Sequence, residues 1–179
     1  MNHKGTIILE TERLILRKFK MEDVEEVFKN WTSNEDVAKF VRWSTHKSVD
    51  DTKEWIEFEL NNYKNDNYYT WGIELKETGE LIGSISSIFR PEDDERYEIG
   101  YAIGKEYWNK GYTSEALKCV MDFLINDVGI KKFICSHAKL NPVSGMVMQK
   151  VGFKHVKDAY FEKFDKTQKF DCKVYYLDL

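Results

Sequence analysis

The chain has few of the residues that staple, punctuate or anchor a protein. Its three cysteines among 179 residues, Cys119, Cys135 and Cys172, are odd in number, far apart and never in a Cys-x-x-Cys pair. That argues against a disulfide framework or a zinc site and makes a reducing cytoplasm the default. Only two prolines occur, Pro91 and Pro142, and no Gly/Ser-rich linker, low-complexity tract or internal repeat divides the chain. Residues 1–179 therefore read as one domain. No apolar run approaches the ~20 residues of a membrane span. The stretch Thr6-Ile7-Ile8-Leu9, followed by Glu10, Glu12 and Arg13, is too short and too charged for a signal peptide. No His/Cys/Asp/Glu spacing suggests a metal, and no Ser/His/Asp or Cys/His set stands in a nucleophile context, so hydrolase chemistry has no support. The formal net charge of −4 gives no electrostatic reason to expect nucleic acid or an anionic membrane as a partner and mildly favours cationic ligands.

What is present is the composition of a globular protein with a sizeable core: 42% hydrophobic, 32% charged and 15% aromatic. The run Arg13-Leu14-Ile15-Leu16-Arg17 reads as a first strand. Val24, Val27, Phe28 and Trp31 fall at i, i+3, i+4 and i+7, one helical face. Ser48 with Asp51 resembles a capping box, opening a helix that carries Trp55, Ile56, Leu60 and Tyr63. Residues 69–75 and 81–89 form a hairpin pattern around Gly79, and a polar turn leads into a strand over 97–103. A helix with Ala116, Leu117, Val120, Phe123 or Leu124, and Val128 inward is followed by a buried-type strand over 132–138. A short helix over 144–151 stops at Gly152, and residues 156–164 and 170–177 end the chain as an antiparallel pair. The order β-α-α-β-β-β-α-β-α-β-β implies a mixed α/β (α+β) sheet of about seven strands with helices on its faces. Parallel neighbours are expected around Ile99 and Ile134.

The most informative stretch is Trp108-Asn109-Lys110-Gly111-Tyr112-Thr113-Ser114-Glu115-Ala116. A glycine turn that opens a helix leaves backbone N–H groups unpaired and adds the partial positive charge of the helix dipole, a setting for a phosphate-type anion. Further on, Asn141-Pro142-Val143-Ser144 opens the short helix that ends Lys150-Val151-Gly152-Phe153. Each feature alone is also an ordinary turn or cap.

Together, in this strand context, they resemble the GNAT superfamily of acyl-CoA-dependent N-acyltransferases, and within it the RimJ/RimL-like group that acetylates protein N-termini. The opening Thr11-Glu12-Arg13-Leu14-Ile15-Leu16-Arg17 with Glu22-Asp23, and Ile99-Gly100-Tyr101-Ala102-Ile103 before the Gly111 turn, extend the resemblance over nearly the whole chain. Two positions depart from the superfamily pattern: Trp108 stands where Gln or Arg is usual, as is common in the group, and Thr113 stands where Gly or Ala is usual.

The resemblance implies a twisted, mostly antiparallel sheet with one splayed parallel pair and helices on both faces. It implies acetyl-CoA as the cofactor, its diphosphate held by the amides of Lys110, Gly111, Tyr112, Thr113 and Ser114. The pantetheine arm would pair with backbone around Tyr101, Ala102 and Ile103 and with the Asn141 side chain, with Ser144 near the thiol. Lys150 could reach the adenosine phosphates or simply be solvated.

An amine would attack the thioester directly, after losing its proton to a base. Glu98 is the leading candidate, sharing a face with Gly100 and Ala102; the alternative is that it points outward and pairs with a cation such as Arg96. The tyrosine that many members place seven residues after the Asn is Met148 here, so Ser144, Tyr101 or water must return a proton to the leaving thiolate. Ser144 is equally well read as a helix N-terminal hydroxyl.

His46 falls in the loop that shapes the acceptor pocket in this family. His137 reads as a satisfied core residue, and His3 and His155 as surface residues. Trp31, Phe40, Trp43, Trp55 and Phe58 read as core packing, some of them lining the acceptor groove. The expected reaction is acetyl transfer to a primary amine, first a peptide or protein N-terminus. A polyamine or aminated antibiotic is the alternative acceptor, and a non-catalytic acyl-CoA-binding module the alternative function. A monomer or a homodimer is compatible, the latter through an edge strand such as 170–177.

Overall fold

A computed structural model describes all 179 residues. The strands are β1 (Leu9–Glu10), β2 (Leu14–Arg17), β3 (Tyr69–Leu75), β4 (Leu81–Arg90), β5 (Arg96–Ile103), β6 (Lys132–Ala138), β7 (Lys154–Glu162) and β8 (Lys169–Asp178). The helices are α1 (Val24–Val27), α2 (Glu35–Ala38), α3 (Val49–Asn62), α4 (Tyr112–Asp122) and α5 (Pro142–Lys150). Wide π-type turns, Phe28–Thr32 and Phe123–Val128, prolong α1 and α4. No helix is long and apolar enough to cross a membrane.

One sheet of eight strands, in the order β1-β2-β3-β4-β5-β6-β8-β7, organises the chain. The extra strand relative to the expected seven is the two-residue β1, too short to show any alternation in sequence. Every neighbouring pair is antiparallel except β5 and β6. The last two strands cross over: β8 lies between β6 and β7, so 170–177 is internal and β7 is the edge. That corrects the edge-strand expectation, because a strand paired on both sides has no free ladder for a second chain.

Alternation assigns the two faces. Leu14, Leu16, Tyr69, Trp71, Ile73, Tyr97 and Ile99 pack with Leu117, Val120 and Leu124 of the α4 segment, and with Met148 of α5. On the opposite face Phe19, Leu81 and Ala102 pack under Val24, Val27, Trp31 and Ile56 of α1 and α3. The Ser48 capping box forms: Ser48 Oγ accepts from the Asp51 N–H, and the Asp51 carboxylate accepts from the N–H groups of Ser48 and Lys47. The sequence reading passed over α2, although Asn34 caps it by accepting from the N–H groups of Asp36 and Val37.

Two buried cations fasten what surrounds the site. Arg96, at the start of β5, donates to both oxygens of Asp178 on β8 and to the carbonyl of Phe133 on β6. The three strands are thus riveted at one end. Lys163, 8% exposed between β7 and β8, donates to the carbonyls of Ala38 (2.6 Å), Val41 (3.0 Å) and Trp43 (3.0 Å). It ties the β7–β8 hairpin to the segment between α2 and α3.

Replacing this lysine by methionine keeps the stem but leaves those carbonyls without a donor, at about 1–3 kcal/mol for a buried group left unsatisfied. Lys163→Met is expected to lower the urea midpoint by a stability loss of about 3 kcal/mol with the m-value unchanged.

Candidate active site

The turn before α4 is shaped by two left-handed residues, Asn109 at φ 60° and Gly111 at φ 80°. Trp108 anchors it, its indole N–H donating to the carbonyl of Ile103 at 2.8 Å. The first helical bond runs from the Glu115 N–H to the Gly111 carbonyl, and the N–H groups of residues 109–114 have no protein acceptor. They gather at the positive end of an 11-residue helix. A Cβ on Gly111 would meet only the Arg13 guanidinium, so the approach to the amides is open.

Arg13, just before β2, braces the turn. It donates to the carbonyl of Lys110 (2.9 Å) and to the Glu115 carboxylate (2.7 Å), and lies over the Tyr112 ring. Gly111, Tyr112, Thr113 and Ser114 line the cleft. The Lys110 ammonium instead sits over the Tyr107 ring, so of that residue only the amide is offered.

Beside the turn the sheet opens. β5 and β6 pair only at Tyr97–Phe133 and Glu98–Ile134, the end that Arg96 rivets. Beyond that the strands diverge. The Gly104 N–H bonds to Ile82, so the even-numbered residues of β5 form its hydrogen-bonded rungs with β4, and the odd-numbered ones turn their backbone toward the gap. Ile99 and Ile103 carbonyls are capped there by the Cys135 thiol and the Trp108 indole. The N–H and carbonyl of Tyr101 and the N–H of Ile103 face the opening. Ala102 is therefore a correction: its backbone belongs to the rung with Ser84, and it offers the cleft a surface and no free amide.

The Tyr101 hydroxyl reaches across the gap to Ser144, 2.9 Å from its Oγ and 3.0 Å from its carbonyl. The two residues considered as proton donors thus form one pair, and burial pushes the Tyr101 phenol up. Met148 is 1% exposed in the core and carries packing. Asn141 precedes α5 and lines the cleft with its side chain making no capping bond. Lys150 is exposed at the rim of the cleft. His137 is buried and satisfied, bonded to the Ala138 carbonyl and the Tyr175 hydroxyl. His155 pairs with Asp158 at the surface, whereas His3 is bonded to the Tyr69 hydroxyl and only partly exposed.

The cleft runs through the sheet opening and measures about 1270 Å³ over its whole length; its far side is roofed by the Phe28–Thr32 turn, α2, α3 and the segment between α2 and α3. Small residues on its floor, Thr70, Ser84, Ser86 and Gly100, leave the space free. Glu98 lies on the expected face, but Arg90 holds one oxygen at 2.6 Å and Arg42 the other at 3.4 Å. Its partners are these two cations and not Arg96, which is bonded to Asp178. Both Glu98 oxygens are thus engaged by guanidinium groups, and the carboxylate forms part of the cavity wall.

Trp31 is buried, Phe40, Trp43 and Trp55 are partly so, and all four line the cavity; Phe58 is largely exposed, against the core expectation. His46 lines the cavity, bonded to the Thr52 hydroxyl, and burial lowers its pKa. The sequence reading missed Glu59. It is 4% exposed on the inward stripe of α3 with Thr52 and Ile56, accepts from the Tyr68 hydroxyl at 2.9 Å and is pushed up to about 7 by burial. The signal was available: Glu59 stands three residues after Ile56 and four before Tyr63, a core position.

An acetyltransferase (GNAT) domain model matches residues 13–154. YoaA of Bacillus subtilis, named as an uncharacterized N-acetyltransferase, is 29% identical over 168 residues, 94% of each chain. The crystal structure of a GNAT-family acetyltransferase from Bacillus anthracis superposes with a TM-score of 0.79 at 26% identity, covering 96% of this chain and 98% of that one. RimL, the ribosomal L7/L12 α-N-protein acetyltransferase solved with coenzyme A, superposes at 0.82 with 16% identity, covering 97% and 98%. The chain belongs to the GNAT acetyltransferase family, and is an N-acetyltransferase that uses acetyl-CoA.

Burial of Glu59 carries a signature in stability. Below its ordinary value of 4.5 the carboxyl is neutral whether folded or unfolded. Between 4.5 and about 7 the unfolded chain ionises while the folded one keeps the proton, so stability falls as pH rises through that window and is level above it. The span is worth about 3 kcal/mol. Glu59→Gln is expected to flatten this decline and to be the more stable protein at pH 8, read from urea unfolding at several pH values.

Proposed function

We propose that the chain acetylates a primary amine, in first place a peptide or protein N-terminal α-amine, with the acetyl donor bound between β5 and β6 and the amine entering from the part of the cleft under α2 and α3. The observation that carries the reading is the coincidence of the β5–β6 divergence with the free amides of residues 109–114 at its mouth. The residues fit the donor. The turn supplies uncommitted N–H groups for a diphosphate, the Tyr101 and Ile103 backbone offers ladder partners for the amides of an extended arm, and Asn141 adds a side chain.

Bound acetyl-CoA supplies an activated acetyl thioester. The chain's part is to orient and to move protons. A Tyr101 or Ile103 N–H turned into the gap polarises the carbonyl as negative charge builds on its oxygen. The bonded Tyr101–Ser144 hydroxyl pair would return a proton to the departing sulfur. The likeness of fold to RimL supports an α-amine acceptor; the roomy cavity also admits a small polyamine or an aminated small molecule.

Calorimetry with coenzyme A and a mass-detected screen of amines, peptide N-termini included, test the reading. Binding without product on any amine would favour a non-catalytic acyl-CoA-binding module. Gly111→Val forces a β-branched residue into a left-handed conformation, at about 1–3 kcal/mol, and tilts the amide cradle. Coenzyme A affinity is expected to fall roughly tenfold or more. Unchanged binding would remove the turn from the site.

A further inference from the structure

We propose that Glu59 is the carboxylate that receives the acceptor's ammonium group and takes its proton before acetyl transfer, a role that rests on the reading of acetyl transfer to an amine. Four observations place it there. Glu59 lines the acceptor side of the cavity and is almost wholly buried, yet no lysine or arginine pairs with it. Its Tyr68 partner, with Thr70 and Trp55 beside it, holds the carboxylate without neutralising it. The other carboxylate that reaches this cavity from the sheet, Glu98, already carries Arg90 and Arg42.

The fourth observation is the floor. Thr70, Ser86 and Gly100 occupy one rung across β3, β4 and β5, on the face that Glu59 overhangs. Thr70 stands roughly 10 Å from Gly100 by strand spacing. A Cβ on Gly100 would lie 3.5 Å from the Ser86 hydroxyl, so that hydroxyl abuts the strand beside which the acetyl group is held. The rung is a hydroxyl-lined path between the carboxylate and the reacting end.

Protons and electrons balance along it. An ammonium N–H gives its proton to a Glu59 oxygen, directly or through the Ser86 hydroxyl, and the freed lone pair forms the N–C bond to the acetyl carbon. The C–S bond breaks with its electron pair on sulfur. The second proton lost by nitrogen returns to sulfur by way of Ser144 and Tyr101, and Glu59 releases its own to water.

The raised value of about 7 suits an α-amine, near 8, far better than a lysine-type amine near 10.4. The titratable groups facing Glu59 are Tyr68, just before β3, and Tyr63, which caps the end of α3, both pushed up by burial and so neutral, and His46 across the cavity is held low.

The test compares the parent chain with Glu59→Gln, bound to coenzyme A, by carbon NMR titration of the glutamate carboxyls. The signal missing from the variant should titrate near pH 7 in the parent. Alanine amide should move its midpoint down by about a unit, as an opposite charge at close range does. A response to ethylammonium but not to alanine amide supports the carboxylate's role and overturns its preference for an α-amine. A midpoint in the ordinary carboxylate range, or one indifferent to both amines, overturns the proposal whether or not an acceptor has been found.

With an acceptor from the amine screen, Glu59→Gln should lose roughly 10²-fold in kcat/KM together with the limb near pH 7, coenzyme A affinity unchanged. A variant that keeps the parent's pH profile, or a limb lost in Glu98→Gln instead, also overturns it. Failure of the parent to turn over any amine would count against the proposed function, and the NMR readout would still decide the role of Glu59.

Discussion

The parting of β5 from β6 after two paired residues is the constraint on which everything else depends. A parallel pair that zipped along its whole length would consume the Tyr101 and Ile103 backbone and shut the route from the α4 turn to the acceptor cavity. The structure pins the pair at one end with Arg96, which reaches β6 and β8 together, and props it open at the other. The prop is covalently simple: α5 begins directly after β6, and the Tyr101 hydroxyl bridges to Ser144 at its start. Cys135 and Trp108 then satisfy the β5 carbonyls that have lost a strand partner, so the opening leaves little unpaid in buried polarity.

Around that opening, charge is distributed in a consistent sense. The α4 turn offers backbone amides and the α4 dipole, with Arg13 holding the turn and its own charge matched by Glu115. The far end of the cleft has aromatic walls and a buried carboxylate that lacks a cation. Between them Glu98 is matched by Arg90 and Arg42, so Glu59 is the carboxylate of the cleft that carries no cation. The loop wall is in turn held by Lys163, so the shape of the acceptor end depends on a hairpin far away in sequence.

Much of this was legible because it is local. Gly111 in a strand-to-helix turn, the Ser48–Asp51 box and the Gly152 stop each act within a few residues, and each appears as expected. The parity argument for β5 also held, because alternation is a property of any strand: Glu98, Gly100 and Ala102 share one face of the sheet. Parity could not say which backbone groups were free, since that depends on which edge of β5 is paired by β4, and so Ala102 was misread. Glu59 was overlooked because a lone glutamate on a helix reads as solvated. Its burial is created by Tyr68 just before β3 and Thr70 within it, brought over it by the fold.

The amino-acid sequence by itself determined the order of elements, the anion-ready turn and the apolar faces, because propensity, capping and periodicity are short-range. Only the tertiary structure decided the partners of the charged groups, sending Arg96 to Asp178, Arg90 and Arg42 to Glu98, and no cation to Glu59. It also decided that β8 and not β7 fills the place beside β6. An ion pair or a sheet neighbour is chosen by distance in space, and residues as far apart as Arg96 and Asp178 acquire that distance only when the sheet has formed.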